Sequence, residues 1–175
     1  MDQNRPALRR SPGPPLTADG AQEAEALGKF LRDAGVHVVY ASPLDRTLRT
    51  AEIASAAMGV DCEVREEIAE WRRGETEAEV LARFLPLAQT ALQAVQNGAS
   101  IAMITHGGPI RLLLEHFGLA QDEVTFYRRQ FDRDNPVPPA GVWRVAQRRN
   151  GSIARPELVF APNGFTVFVP ETVHV

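Results

Sequence analysis

The sequence predicts an α/β fold: a three-layer α/β/α sandwich with a mainly parallel sheet and antiparallel strands toward its C-terminal end. Three observations carry this. Short β-branched runs alternate with longer stretches of helical periodicity between residues 17 and 118. The run SIAMIT (100–105) is continuously apolar, as in a strand covered on both faces. Beyond Pro136–Pro139 two further runs flank Asn150-Gly151, a pair suited to a tight hairpin turn.

Residues 1–16 are polar and proline-rich and predict an irregular loop. From Thr17, an N-cap candidate, Ala21, Ala24, Leu27, Phe30, Leu31 and Ala34 recur at helical spacing, and Gly35 stops the pattern. VHVVYA (36–41) predicts a strand. The next helix opens at Ser42 as cap, with Pro43 in the first position and Asp45 as the capping-box acid, and ends at Met58-Gly59. CEV (62–64) predicts a short edge strand. Val80, Leu81, Phe84, Leu85, Ala88, Leu92 and Val95 form a long amphipathic face that Pro86 is expected to kink or break, and Asn97-Gly98 ends it. SIAMIT leads into a helix over 107–118. VWRVAQ and SIARPELVFA predict the hairpin, and GFTVFV (164–169) one more strand. The expected organisation is a single domain over 1–175: loop, α/β core (17–118) and C-terminal extension (119–175).

Composition narrows the function. The chain has 175 residues, 44% hydrophobic and 23% charged, which suits one globular domain. A net charge of −3 gives no reason to expect nucleic acid or an anionic membrane surface. The lone cysteine, Cys62, excludes an intrachain disulfide and a cysteine-rich metal site. No apolar run approaches the roughly 20 residues that span a bilayer, and MDQNRPALRR lacks a signal-peptide core. A cytoplasmic location is expected.

Two strand-to-helix junctions hold the candidate chemistry: YASPLDRT and ITHGGPIR. Each places a helix N-terminus, with free N–H groups and partial positive charge, at the end of a parallel strand. The first adds Arg46, whose guanidinium can fork onto phosphate. The second adds His106 and two glycines that let a ligand approach the backbone. Together they describe a phosphate pocket, with Arg46, His106 and Gly107 as binding residues. The competing reading of Arg46 is a solvated helix arginine. His37, His116 and His174 read as structural or solvated. Arg128, Arg129 and Arg133 read as a solvated basic face or as contacts for extra negative charge. Neither a dinucleotide-type GxGxxG nor a GxxxxGK occurs.

PPLTADGAQEAEALGKFL (14–31), YASPLDRTLRTAEIAS (40–55), EIAEW (67–71), ETEAEVLARF (75–84) and IAMITHGGPIRLLL (101–114) stand in an order and spacing that resemble the histidine phosphatase superfamily. The resemblance implies a phosphoglycerate mutase-like fold and hydrolysis of phosphomonoesters through a phosphohistidine. It implies Arg46 as a phosphate-clamping arginine and His106 as the second histidine, which steadies the transferring group. Glu70 is implied as the proton donor, with Glu67 as its rival and a solvated acidic run as the alternative. The implied catalytic set is therefore His106, Arg46 and Glu70, with no cofactor and no metal. The expected ligand is a small phosphomonoester or free phosphate. The short segment after Trp71 favours a phosphatase over a mutase.

The superfamily's signature, an apolar strand ending in Arg-His-Gly and carrying the nucleophile, is not found ahead of SPGPPLTADG. Three readings account for this: a start placed too late, a natural variant that keeps phosphate or a protein partner without catalysis, or replacement by the apolar segment ending near His174. The expectation is little or no phosphatase activity in this chain, with strand filling, rearrangement or self-association to a homo-oligomer. A non-catalytic phosphate-binding or protein-interaction module on the same fold is the alternative function.

Overall fold

The computed structural model describes residues 15–95, 98–131 and 135–170. Helix α1 (Ala18–Asp33) begins where Thr17 Oγ1 accepts the Gly20 N–H at 3.0 Å, as the sequence predicts. Strand β1 (Val38–Ala41) leads into α2 (Asp45–Met58), which ends at Gly59 in the left-handed region, φ 74°. β2 (Cys62–Val64) and a 3-10 turn (Glu66–Ile68) precede α3 (Glu77–Val95). β3 (Ile101–Ile104), α4 (Gly107–His116), α5 (Gln121–Gln130), β4 (Val142–Arg144) and β5 (Glu157–Phe160) complete the order.

β2, β1 and β3 form a parallel sheet in that order, with Ala41 level with both Val64 and Ile104. Alternate side chains face opposite layers. Val39 and Ala41 pack on Leu48 and Ala51 of α2, while Ala102 and Ile104 meet Leu27 and Leu31 of α1. On the other face Tyr40 and Met103 meet Ile68 and the α3 residues Phe84 and Ala88. The fold is thus helices on both sides of a parallel sheet, with an antiparallel pair, β4–β5, near the C-terminal end.

Several expectations need correction. β3 pairs only with β1 among the described residues, and all four of its residues are half-buried, so it is not the fully covered strand its composition suggests. β4–β5 forms its own sheet instead of extending the parallel one. It rests on α1 through the Phe30–Phe160 stack, centroids 4.7 Å apart. GFTVFV adds no strand. Its backbone is satisfied by side chains: Thr166 by Gln130 in both directions, and the Phe168 N–H by Tyr127 Oη. α3 continues unbroken through Pro86. Its opening is secured by a capping box, in which Glu79 accepts the Thr76 N–H at 2.7 Å and Thr76 Oγ1 accepts the Glu79 N–H at 3.3 Å. Helix α5 was not anticipated; only Val124, Phe126 and Tyr127 in its ten residues are apolar. Most of the 1–16 loop, the Asn97 helix stop, Arg133 and His174 lie outside the described residues.

Candidate active site

Parallel strands deliver their C-terminal ends to one edge of the sheet. The Ala41–Ile104 register therefore sets Ser42 beside Thr105 and His106, and the Val64 register brings the loop after β2 to the same edge. Ser42 was expected to cap α2, but that helix begins at Asp45 with Leu44 at the cap position. Ser42 is fully buried and its Oγ lies 2.7 Å from His106 Nε2.

The imidazole of His106, only 2% exposed, is held at both nitrogens. Arg46 Nη2 lies 2.9 Å from Nδ1. A guanidinium can only donate, so Nδ1 carries the lone pair and Nε2–H donates to Ser42 Oγ. Burial, then the nearby Arg46 and Arg83 charges, push the imidazole down to about 3, so it is neutral at pH 7. Glu70 Oε2 approaches the same Nδ1 at 3.3 Å and accepts from Arg46 Nη2 at 3.1 Å.

Arg46, His106 and Glu70 are thus brought together at one spot. Of the two glutamates offered by the sequence, Glu70 reaches it with its side chain, and Glu67 contributes a backbone carbonyl to Arg83 instead. Glu70 Oε1 also accepts the Trp71 N–H at 3.0 Å. Thr105 Oγ1 donates to the Ile68 carbonyl at 2.7 Å, tying this loop to the end of β3.

Gly107 and Gly108 open α4, where N–H groups lack helical partners. Both positions are tightly covered. A Cβ on Gly107 would run into the Asn135 carboxamide, and one on Gly108 would lie 3.3 Å from the Trp71 ring and 3.7 Å from Glu70 Oε1. Gly107 therefore sits at the predicted junction, with Asn135 against it. Ser42, Trp71 and Asn135 are site residues that single-residue reasoning missed. Ser42 alone had a signal, its place directly after β1.

The remaining candidates lie elsewhere. His37 precedes β1, at the opposite end of the sheet. His116 closes α4 and meets the Phe117 ring, centroids 5.3 Å apart. Arg128 and Arg129 occupy the last turn of α5. Among the described residues no group of three or more His, Cys, Asp or Glu is arranged to hold a metal ion, and no helix is long and apolar enough to cross a membrane.

The arrangement brings a guanidinium, an imidazole and a carboxylate into contact beside a helix opening, a set of groups suited to phosphoryl chemistry. The model of the histidine phosphatase superfamily (branch 1) matches residues 2–78. A probable phosphoglycerate mutase, GpmB, of Salmonella arizonae is 32% identical over 108 residues, which is 61% of this chain and 50% of that protein. The chain thus spans half the length of that relative. Among solved structures, a mycobacterial glucosyl-3-phosphoglycerate phosphatase complexed with VO3 superposes with a TM-score of 0.64 at 18% identity, covering 87% of this chain and 90% of the other. YhfR of Bacillus stearothermophilus gives 0.64 at 21% identity, covering 84% and 87%.

Proposed function

We propose, from its likeness to the histidine phosphatase superfamily, that the chain binds the phosphoryl group of a phosphomonoester between Arg46 and His106, for hydrolysis through a phosphohistidine. The observation that carries this is the 2.9 Å contact between Arg46 and His106 at the opening of α4. It gathers two residues 60 positions apart where an anion gains a guanidinium fork and helix N–H donors. The VO3 bound by the mycobacterial phosphatase supports a phosphate-like ligand for this fold.

In this reading Arg46 holds two equatorial oxygens, and a bound dianion draws a solvent proton onto His106 Nδ1. Glu70, carrying a proton taken up from solvent as the substrate binds, gives it to the departing alcohol oxygen as the phosphorus–oxygen bond breaks and a nitrogen–phosphorus bond forms on a nucleophilic histidine. It then takes a proton from the water that breaks that second bond. His106 is committed to Ser42 and Arg46 and serves as stabiliser, not as nucleophile. It is the one imidazole at this edge among the described residues, so this chain alone is expected to turn over little or no p-nitrophenyl phosphate. That same observation favours a second reading, a phosphate-binding module without catalysis.

Titration with orthophosphate, read by calorimetry, tests the site. Wild type is expected to bind and Arg46→Ala to bind at least about tenfold more weakly, the effect of losing a charge-assisted pair. Equal behaviour of the two proteins refutes the pocket. Robust p-nitrophenyl phosphate turnover abolished by His106→Ala refutes the inactivity of this chain and the second reading together.

A further inference from the structure

Arg83 projects from the second turn of α3 into the loop that carries Glu70, and its side chain is 14% exposed. Every edge of its guanidinium is used. Nε and Nη2 donate to the two Glu75 carboxylate oxygens at 2.7 and 3.0 Å. Nη1 donates to the Glu67 carbonyl at 2.6 Å and Nη2 to the Glu70 carbonyl at 3.1 Å. Glu75 turns the loop back on itself: its carboxylate accepts the Arg72 N–H at 3.0 Å, and its carbonyl accepts Trp71 Nε1–H at 2.6 Å. The Arg83 fork holds the Glu75 carboxyl down at about 2, so it is charged at neutral pH.

None of these atoms needs a ligand. They do hold the backbone of Glu70 at its own carbonyl and three residues before it, and so decide where its carboxylate lands. We propose that the Arg83–Glu75 pair is a positioning device for Glu70, holding its carboxylate against Arg46 and His106 so that it competes with an incoming anion for Arg46. This rests on the phosphate-binding reading for its consequence, but not for the placement itself.

The competition follows from position. Glu70 Oε2 sits within hydrogen-bond reach of the Arg46 donor an anion would use. Releasing or neutralising that carboxylate removes a like charge beside the ligand. The ionisable groups facing it are Arg46 from α2, His106 from the start of α4, and Arg83 from α3 through the Glu70 carbonyl. A lysine at 83 keeps the charge but cannot form the two-pronged contact with Glu75 while also reaching two carbonyls.

Two measurements test the proposal. The first needs no ligand: hydrogen exchange of the Trp71 amide, which Glu70 Oε1 accepts. Arg83→Lys and Glu75→Gln are expected to speed it by about tenfold or more while the amides of β1 keep their rates. Unchanged Trp71 exchange overturns the positioning role, and loss of protection in β1 as well shows a structural role only. The second is a double-mutant cycle on orthophosphate affinity at pH 7. Glu70→Gln and Arg83→Lys are each expected to tighten binding by about fivefold, and the double variant to bind no more tightly than Glu70→Gln alone. Additive effects overturn it. If wild type and every variant fail to bind phosphate while the Trp71 amide responds, the phosphate reading falls and the positioning role stands.

Discussion

One nitrogen, His106 Nδ1, lies at the centre of the site. Its neighbours are an obligate donor, Arg46 at 2.9 Å, and a carboxylate, Glu70 at 3.3 Å, and the donor determines the tautomer. The consequence for stability has a definite sign. Burial holds the folded imidazole well below the 6.5 of an ordinary histidine, so the unfolded chain takes up the extra proton first. The neutral imidazole's contribution is complete above about pH 6.5 and is lost as pH falls toward about 3. Urea unfolding across that window is expected to show wild type losing stability that a His106→Asn variant does not lose. Parallel curves refute the neutral assignment. The Glu75 slope lies lower, between 4.5 and about 2, so the slope between 6.5 and 4.5 is the part that belongs to His106 without Glu75. At this scale Arg46 and His106 were legible because they stand at strand-to-helix junctions, whereas Glu70 was offered only by the family resemblance, with Glu67 as its rival. Ser42 as a histidine partner, Asn135 as a cover for Gly107 and Arg83 as a loop anchor were not. Ser42 reaches across 64 positions to His106, and its local context equally suits a cap.

Helix boundaries and faces were largely readable, since a 3.6-residue period, caps and left-handed glycines are local properties. Packing distances between elements were not. Gly28, on the buried face of α1, shows the difference. Helix propensity alone says Gly28→Ala gains up to about 1 kcal/mol. The structure reverses the sign: a Cβ there would lie 2.6 Å from the Ala54 carbonyl oxygen and 2.8 Å from Ala57 Cβ of α2. Overpacking of this kind costs about 1–3 kcal/mol, so Gly28→Ala is expected to lower the thermal midpoint, measured by circular dichroism. A rise would mean that α1 and α2 can part without penalty. α3 makes the same point about backbone. Pro86 announces a break, yet the helix carries on through it, and packing of Phe84 and Ala88 against Ile68 accompanies that continuity. α5 escaped notice because a helix with three apolar residues in ten has little amphipathic signal; its Tyr127 is buried against Trp143 of β4, a contact outside its own segment.

Over the whole molecule, the open feature is the far edge of β3. Four apolar residues remain half-buried there, with β1 as their only strand neighbour among the described residues, and the β4–β5 sheet leans on α1 without pairing to them. Unpaired apolar edges recruit other strands. Light scattering is therefore expected to give a mass above the 19.2 kDa of one chain, falling on dilution. A concentration-independent monomer counts against this. By itself the sequence determined most element types, the parallel α/β class and the two strand-to-helix junctions proposed to hold phosphate, because periodicity, capping and turn chemistry act over a few neighbouring residues. Only the tertiary structure decided that Arg46, Glu70 and His106 share one position, that His106 is neutral and held by Ser42, and that α3 anchors the loop bearing the acid. Those depend on strand register and on contacts between residues far apart in the chain, which no local pattern encodes.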